Sequence, residues 1–134
     1  MRNEKILFIT YFFDPSDGVG SSRSRSLANF LEQNEFKLFI LSSKTWTQGH
    51  QNIFIWGIKS AIYILKKHKN FNKIYISCGP FLPLLATVII AEITNKPLIV
   101  DFRDAWSLNI GTNYGKLTKK LTLINTFKLL ISRL

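Results

Sequence analysis

Short apolar runs rich in β-branched and aromatic residues alternate along the chain with longer segments whose apolar residues recur at helical spacing. The apolar runs predict strands over residues 5–11, 36–41, 73–77 and 97–102, and a shorter strand over 53–55. The periodic segments predict helices over about 21–33, 57–69, 82–94 and 116–134. Strands that alternate with helices are typical of an α/β fold with a doubly wound, Rossmann-like parallel sheet, which is the fold we predict.

Local signals predict how three of these helices begin, end and pack. Ser21 or Ser22 is expected to cap the first helix, and Asn95 is expected near the end of the third. In the second helix four apolar residues fall on one face, and the lysines lie elsewhere. The four apolar residues are Ile58, Ala61, Ile62 and Leu65.

The charge is strongly basic and uneven. Lys and Arg total 18 against 8 Asp and Glu, and residues 36–91 and 105–134 contain no acid at all. Such blocks favour an anionic partner, either a phosphorylated small molecule, a membrane surface or nucleic acid, with a solvated lysine-rich surface as the alternative. No recognised nucleic-acid-binding motif occurs, and the aromatic residues sit mainly in predicted core runs, so we expect no nucleic acid partner.

Cysteine, histidine and hydropathy limit the remaining classes. Cys78 is the single cysteine, so an internal disulfide is excluded, and with only two histidines we expect no metal site. The first residues do not resemble a signal peptide, and the longest uncharged stretch, 74–91, is interrupted by glycine and proline. We therefore expect a cytoplasmic location, either soluble or peripheral at the inner membrane face.

Three loops should open at the carboxyl edge of the sheet, where ligands of such folds bind: 12–22, 77–81 and 103–114. In the first, Gly18, Gly20 and Ser21 lie at a helix start, with Arg23 and Arg25 one turn further on. Glycines let a phosphate approach the backbone, and a helix amino terminus supplies N–H donors, so this loop predicts an anion site. It is not the dinucleotide fingerprint, because Arg23 replaces the third glycine. The alternative is a flexible turn.

The segment DFRDAW lies at the carboxyl end of the last predicted strand and carries Asp101, Arg103 and Asp104. A carboxylate at that place can orient or deprotonate a substrate hydroxyl. The alternative is an Arg103–carboxylate pair that only fixes the loop. Cys78, which has no nearby histidine, is expected to be structural. The segment 116–134 has a basic polar side, and it predicts either a core-facing helix or one lying on an anionic membrane.

These segments resemble the amino-terminal half of family-4 glycosyltransferases, which have the GT-B fold of two facing Rossmann-like domains. The resemblance rests on KILFITYFFDPSDGVGSSRSRSLANFL, on FKLFILSS, and on IYISCGPFLPLLATVIIAEITNKPLIVDFRDAW with its D-x-RD-x-W pattern, and it covers most of residues 4–106. The chain departs from the family where Glu35 and Phe36 replace a usual Gly-His. It also lacks the acidic E-x7-E motif of the family's second domain. The resemblance implies that residues 1–134 form the acceptor-side domain, with the carboxyl-terminal donor-binding domain absent.

The resemblance also implies an activity: retaining transfer of a sugar from a nucleotide-sugar donor to an acceptor hydroxyl in polysaccharide or glycolipid biosynthesis, without cofactor or metal. Arg103 and Asp104 would be catalytic, and Trp106 would pack on a sugar ring or brace its loop. The expected substrate-binding residues are Gly18, Gly20, Ser21, Arg23, Arg25, Gly79, Asp101 and Trp106. The alternative is a noncatalytic acceptor- or membrane-binding subunit of a split glycosyltransferase.

Overall fold

Parallel pairing of the β-rich runs builds a four-stranded sheet. The structure, a computed structural model, describes residues 4–78 and 82–102. Its strands are β1 (Lys5–Ile9), β2 (Lys37–Leu41), β3 (Lys73–Cys78) and β4 (Leu98–Phe102). The helices are α1 (Val19–Gln33), α2 (Ile53–Lys67) and α3 (Leu82–Ile93), with 3-10 turns at Pro15–Asp17 and His68–Asn70. The strand order is β2-β1-β3-β4 and all strands are parallel, so the predicted Rossmann-like α/β fold is confirmed.

The strand order fixes where the helices lie. From β1 the chain moves to β2 on one side, and from β2 it crosses β1 to reach β3 on the other. Because crossover connections between parallel strands are right-handed, this reversal puts α1 on one face of the sheet and α2 and α3 on the opposite face. It also places a topological switch point between β1 and β3, outside whose carboxyl ends such sheets bind ligands.

The central strands β1 and β3 are buried on both faces. On the face toward α1, Ile6 and Phe8 pack with Ala28 and Tyr75, and the rings of Phe8 and Tyr75 stack with centroids 4.4 Å apart. The intervening residues of the two strands face the other side and are also buried: Leu7, Ile9, Ile74 and Ile76. Each fully buried side chain of this size contributes about 1.5–3 kcal/mol, which explains the nearly uninterrupted apolar run of β1.

α1 begins two residues earlier than predicted. Gly18 is the N-cap, with φ +64° and ψ −140°, a conformation in which a Cβ atom would be strained. Ser21 lies inside the first turn, and its Oγ donates to the Gly18 carbonyl oxygen at 3.0 Å. The predicted cap at Ser21 or Ser22 is therefore wrong, because the backbone freedom of glycine decides where this helix starts.

Two helices end in the left-handed turn that glycine usually supplies. After α1, Glu35 has φ +65° and the Phe36 N–H donates to the Leu31 carbonyl at 3.1 Å. After α3, Asn95 has φ +50° and the Lys96 N–H donates to the Ala91 carbonyl at 2.9 Å. Both are Schellman-type ends, so the expected helix end at Asn95 is confirmed.

The predicted strand over 53–55 is wrong, because these residues form the first turn of α2. Asn52 Oδ1 accepts a hydrogen bond from the Phe54 N–H at 2.9 Å and caps the helix. Three apolar residues in a row fit a strand or a helix equally well, and the capping side chain before them decides between the two.

The apolar face of α2 that the spacing identifies is not the face that packs on the core. Ile58, Ile62 and Leu65 are exposed, while the buried residues are Trp56, Gly57, Ser60 and Ile64. Trp56 anchors this face, since its indole N–H donates to the Ser42 carbonyl at 2.7 Å, and Gly57 packs against Pro83 of α3. The helix carries apolar residues on two sides, so periodicity alone does not select the side that faces the core.

Candidate functional site

The amino terminus of α1 lies directly after the loop that leaves β1, at the switch point. No side chain caps the helix, and Val19 is 89% exposed. The first N–H groups of a helix have no intrahelical partners, and together they carry a partial positive charge. Gly20 packs on the Phe12 ring, where an added Cβ would lie 3.5 Å from the nearest ring carbon. Gly18 and Gly20 thus lie at an uncapped helix start, and the anion site there stays a prediction from the sequence.

Two of the predicted site residues meet across the sheet edge. Arg23 Nη2 of α1 donates to Asp101 Oδ1 of β4 at 2.7 Å, and the Tyr75 hydroxyl of β3 donates to Asp101 Oδ2 at 2.8 Å. The Asp101 side chain is 14% exposed and that of Arg23 is 59% exposed. Burial, followed by the hydrogen bond and charge of Asp101, raises the pKa of Tyr75, so its phenol stays protonated and remains a donor. Asp101 is therefore a fixed, doubly paired carboxylate that positions the first turns of α1.

The other predicted residues of the first loop differ in accessibility. Ser21 is fully buried, and its hydroxyl is used on the Gly18 carbonyl. Arg25 is half-buried, and no described residue forms an ion pair with it. Arg25 is thus a cation that a bound anion can recruit, whereas Ser21 shapes the loop.

Cys78 ends β3 in the interior of the unit formed by residues 1–101. Burial raises the pKa of its thiol to about 12, and the negative charge of Asp101 acts in the same direction. The thiolate, the nucleophilic form, is therefore not populated at neutral pH, as fits the structural role expected from the sequence.

The remaining candidates lie outside the described residues. These are Gly79 in the turn after β3, and Arg103, Asp104 and Trp106 beyond β4. The segment predicted as a helix over 116–134 also lies outside them, and its two alternatives both stay open.

Sequence reasoning missed a buried ionic cluster behind the first loop. Asp17 is 2% exposed, and its Oδ2 accepts from the backbone N–H groups of Phe13 and Asp14 at 3.1 and 3.0 Å. Its Oδ1 lies 2.9 Å from Lys44 Nζ and 3.0 Å from His50 Nε2. Burial by itself raises the pKa of Asp17. The Lys44 hydrogen bond, the charges of His50 and Lys44 and the Asp14 N–H together lower this pKa by a larger amount, so it lies below its ordinary value. Asp17 thereby stays ionised, with its charge compensated away from the helix terminus.

Part of this cluster has a sequence signal. D-P-S-D carries an acid three residues after another with a proline between them, and the structure contains the corresponding capping box between Asp14 and Asp17. Lys44 and His50 come from the segment between β2 and α2, and nothing local in the sequence joins them to Asp17.

Ser43 extends the cluster, since its Oγ lies 2.6 Å from His50 Nδ1. Ser43, His50 and Asp17 thus share the order of contacts found in hydrolytic triads. Ser43 is fully buried, however, so its hydroxyl does not reach a substrate. Tyr11 stacks on His50 with centroids 5.6 Å apart, and the group as a whole ties the loop after β1 to the loop after β2.

Residues 4–78 and 82–102 contain no group of three His, Cys, Asp or Glu side chains arranged to hold a metal ion. Within the same ranges, no helix has the length and apolar character needed to cross a bilayer.

Neither the models of known protein families nor the curated proteins include a match to this chain.

Proposed function

We propose that this chain is the amino-terminal, acceptor-side domain of a retaining GT-B glycosyltransferase, which moves a sugar from a nucleotide-sugar donor to an acceptor hydroxyl. The proposal joins a Rossmann-like parallel sheet to the resemblance carried by the glycine loop and by DFRDAW. A second, donor-binding domain outside these 134 residues would complete the cleft.

The contact between Arg23 and Asp101 carries the proposal. The two segments that hold the most distinctive motifs are 78 residues apart in sequence, yet they meet in a 2.7 Å ion pair. Arg23 belongs to the glycine loop and first helix, and Asp101 is the first residue of DFRDAW. The ion pair puts both segments in direct contact at the carboxyl edge of the sheet, where such folds bind ligands, and the proposed substrate site requires this arrangement.

The charges at this edge suit a diphosphate. The terminus of α1 offers unpaired N–H donors, and a guanidinium has five N–H donors, of which Arg23 directs its Nη2 group at Asp101. Arg25 adds a positive charge that no described carboxylate neutralises. Asp17 precedes Gly18, but its carboxylate is buried on Lys44 and His50 and does not oppose an incoming anion.

The acceptor hydroxyl would be handled by the residues that follow β4. Asp101 is held by Arg23 and Tyr75, so it anchors the start of that loop. In the proposal Asp104, three residues further on, accepts a hydrogen bond from the acceptor hydroxyl, and Arg103 stabilises the departing phosphate charge. This assignment follows the resemblance and the physical role of carboxylates in orienting hydroxyls.

The experiment is an amide chemical-shift titration of the isotope-labelled chain with UDP and with GDP, and with uridine as the uncharged counterpart. The diphosphates should shift the amides of residues 17–23 with millimolar affinity, since one wall of the cleft supplies few contacts. Arg25→Gln should raise the dissociation constant about tenfold, as expected for the loss of one charge-assisted contact. Lys37→Gln, which removes an equal charge at the exposed start of β2, is the matched control and should leave the constant unchanged.

Three results would speak against the site. They are unchanged amides at millimolar diphosphate, equal shifts with uridine, and an equal effect of Lys37→Gln and Arg25→Gln. The catalytic half of the proposal is tested separately by sequencing the DNA that follows codon 134. It should encode a donor-binding domain with an acidic E-x7-E motif, either in frame or as an adjacent gene, and co-expression with that domain should give sugar transfer with retention.

A further inference from the structure

A stripe of apolar side chains runs along the solvent side of α2. Ile55, Ile58, Ile62 and Leu65 are between 45% and 61% exposed, and their spacing of three or four residues puts them on one side of the helix. Different residues, Trp56 and Ile64 among them, make the buried contacts of α2. Single exposed apolar residues are normal on a protein surface, but a contiguous stripe marks a docking site. We call these four residues the α2 stripe.

One border of the stripe is basic and aromatic. An open groove of about 310 Å³ lies beside it, lined by Trp46, Lys59, Ile62, Tyr63 and Lys66. The Trp46 and Tyr63 ring centroids are 6.3 Å apart, and Lys59 Nζ lies 5.9 Å from the Trp46 ring centroid. Neither α2 nor any other part of residues 36–91 contains an acid. Along the chain, the acid that follows is Glu92 near the end of α3.

Charge selects among the surfaces that can cover this stripe. The segment 105–134 is basic and acid-free, so placing it against Lys59 and Lys66 would bring like charges together. A second copy docked through the same face would bring its own Lys59 and Lys66 to the interface, where neither α2 carries an acid to neutralise them. An anionic surface satisfies both the apolar stripe and the lysines.

We propose that the α2 stripe, together with Trp46, Tyr63, Lys59 and Lys66, docks the protein onto an anionic lipid bilayer. α2 then lies in the plane of the interface, over its length of about 22 Å. The stripe enters the boundary between headgroups and acyl chains, as the apolar face of interfacial helices does. The two aromatic rings lie at headgroup level, where Trp and Tyr are enriched, and the lysines reach lipid phosphates. The inference does not depend on the proposed function.

The test is co-sedimentation of the full 134-residue chain with lipid vesicles. One set is pure phosphatidylcholine and the other contains about 30% phosphatidylglycerol, each at about 0.1 M and about 0.5 M NaCl. The chain should bind the anionic vesicles preferentially, and the higher salt should weaken binding several-fold. Lys59→Gln with Lys66→Gln should lower the partition coefficient about thirtyfold. Ile58→Gln with Ile62→Gln should lower it about tenfold or more.

Matched controls separate this face from general charge and apolarity. Lys37→Gln with Lys96→Gln removes the same charge at the amino edge of the sheet, and Phe30→Gln removes an exposed apolar side chain from α1 on the other face. Both should bind vesicles like the parent chain. Because all these side chains are largely on the surface, thermal melting should confirm that each variant folds.

The proposal is overturned by equal binding to both vesicle types or by unchanged binding of Lys59→Gln with Lys66→Gln. It is also overturned if Lys37→Gln with Lys96→Gln loses as much binding as Lys59→Gln with Lys66→Gln. Sedimentation equilibrium supplies the remaining outcome. If the chain binds no vesicles but forms dimers, and Ile58→Gln with Ile62→Gln abolishes these dimers, then the stripe is an interface between copies. That result would refute the bilayer as its partner.

Discussion

Replacing Asp17 by asparagine should loosen the loop that precedes α1. Asp17 is 2% exposed, with one oxygen on the Phe13 and Asp14 N–H groups and the other beside Lys44 and His50. Both groups on Oδ2, the Phe13 and Asp14 N–H groups, are hydrogen-bond donors, and so is the Lys44 ammonium beside Oδ1. An asparagine amide turned either way therefore points its NH2 group at N–H donors, and at least one contact becomes repulsive.

The expected cost follows from what is left unpaired. A buried group that loses its hydrogen-bond partner costs about 1–3 kcal/mol, and breaking a buried ion pair costs about 3–5 kcal/mol. Lys44 is 21% exposed and can turn toward water, so the lower range applies. We expect a loss of about 2 kcal/mol in the free energy of unfolding, or a fall in Tm of about 6–10 °C.

The pH dependence gives this prediction its sign. The folded-state pKa of Asp17 lies below its ordinary value near 3.8, so the folded state favours the ionised carboxylate. Its contribution is complete above the unfolded-state pKa and is lost as the pH falls through the lower, folded-state pKa. The Tm difference between the parent chain and Asp17→Asn should therefore be present at about pH 5 and shrink below about pH 4.

Asp14→Asn is the matched control on the same loop. The Asp14 side chain is 45% exposed, accepts from the Ser16 N–H and hydroxyl, and lies 3.7 Å from Lys44 Nζ in a long, exposed ion pair. Such a pair contributes little to stability, and asparagine can replace Asp14 as a cap. Thermal melts followed by circular dichroism from pH 3 to pH 7 measure both variants. A Tm of Asp17→Asn equal to that of Asp14→Asn at pH 7, or a difference at pH 3 as large as that at pH 5, would refute the assigned role of the Asp17 charge.

Three further predictions concern one helix end, the loop after β4 and the isolated domain. Glu35→Gly should raise the free energy of unfolding by about 1 kcal/mol, because φ is +65° at this residue. Asn95→Gly should raise it less, because asparagine tolerates a positive φ. Thermal melts measure both variants, and an unchanged Tm of Glu35→Gly would contradict the prediction. In the proposed two-domain enzyme, Asp104→Asn should reduce kcat more than it reduces stability. Asp101→Asn disrupts the Arg23 and Tyr75 contacts and should also lower Tm. Full activity of Asp104→Asn would remove Asp104 from the site. The 134-residue chain alone should transfer no sugar from UDP-glucose or GDP-mannose, because positioning of donor and acceptor in a complete cleft supplies ~7–11 kcal/mol of such barriers, and turnover by the purified chain would exclude the proposal.

The sequence by itself determined the order and type of the main elements. The uninterrupted apolar run of β1 and the short run of β3 identify strands buried on both faces, and alternation with helices implies a parallel sheet. The place of Gly18–Gly20 at a helix start and of Asp101 at a strand end follows from local pattern alone. These features are local because periodicity, turn residues and β propensity act over a few neighbouring residues.

The tertiary structure decided everything that depends on partners distant in sequence. α2 has apolar residues on two sides, and only the packing of Gly57 on Pro83 and the bond from Trp56 to Ser42 decide which side is buried. The exposed stripe is the consequence, and no count of apolar residues predicts it.

The candidate site shows the same division. Residue types at 23 and 101 were readable as candidates, but their ion pair exists because the strand order brings the end of β4 beside α1. The contacts of Asp17 with Lys44 and His50 join loops after two different strands. A charge pair of this kind leaves no periodic trace in the sequence, since its energy depends on distance and burial in space. Local pattern therefore located the glycine loop at a helix start, and the folded sheet alone determined which of the nearby charges are paired.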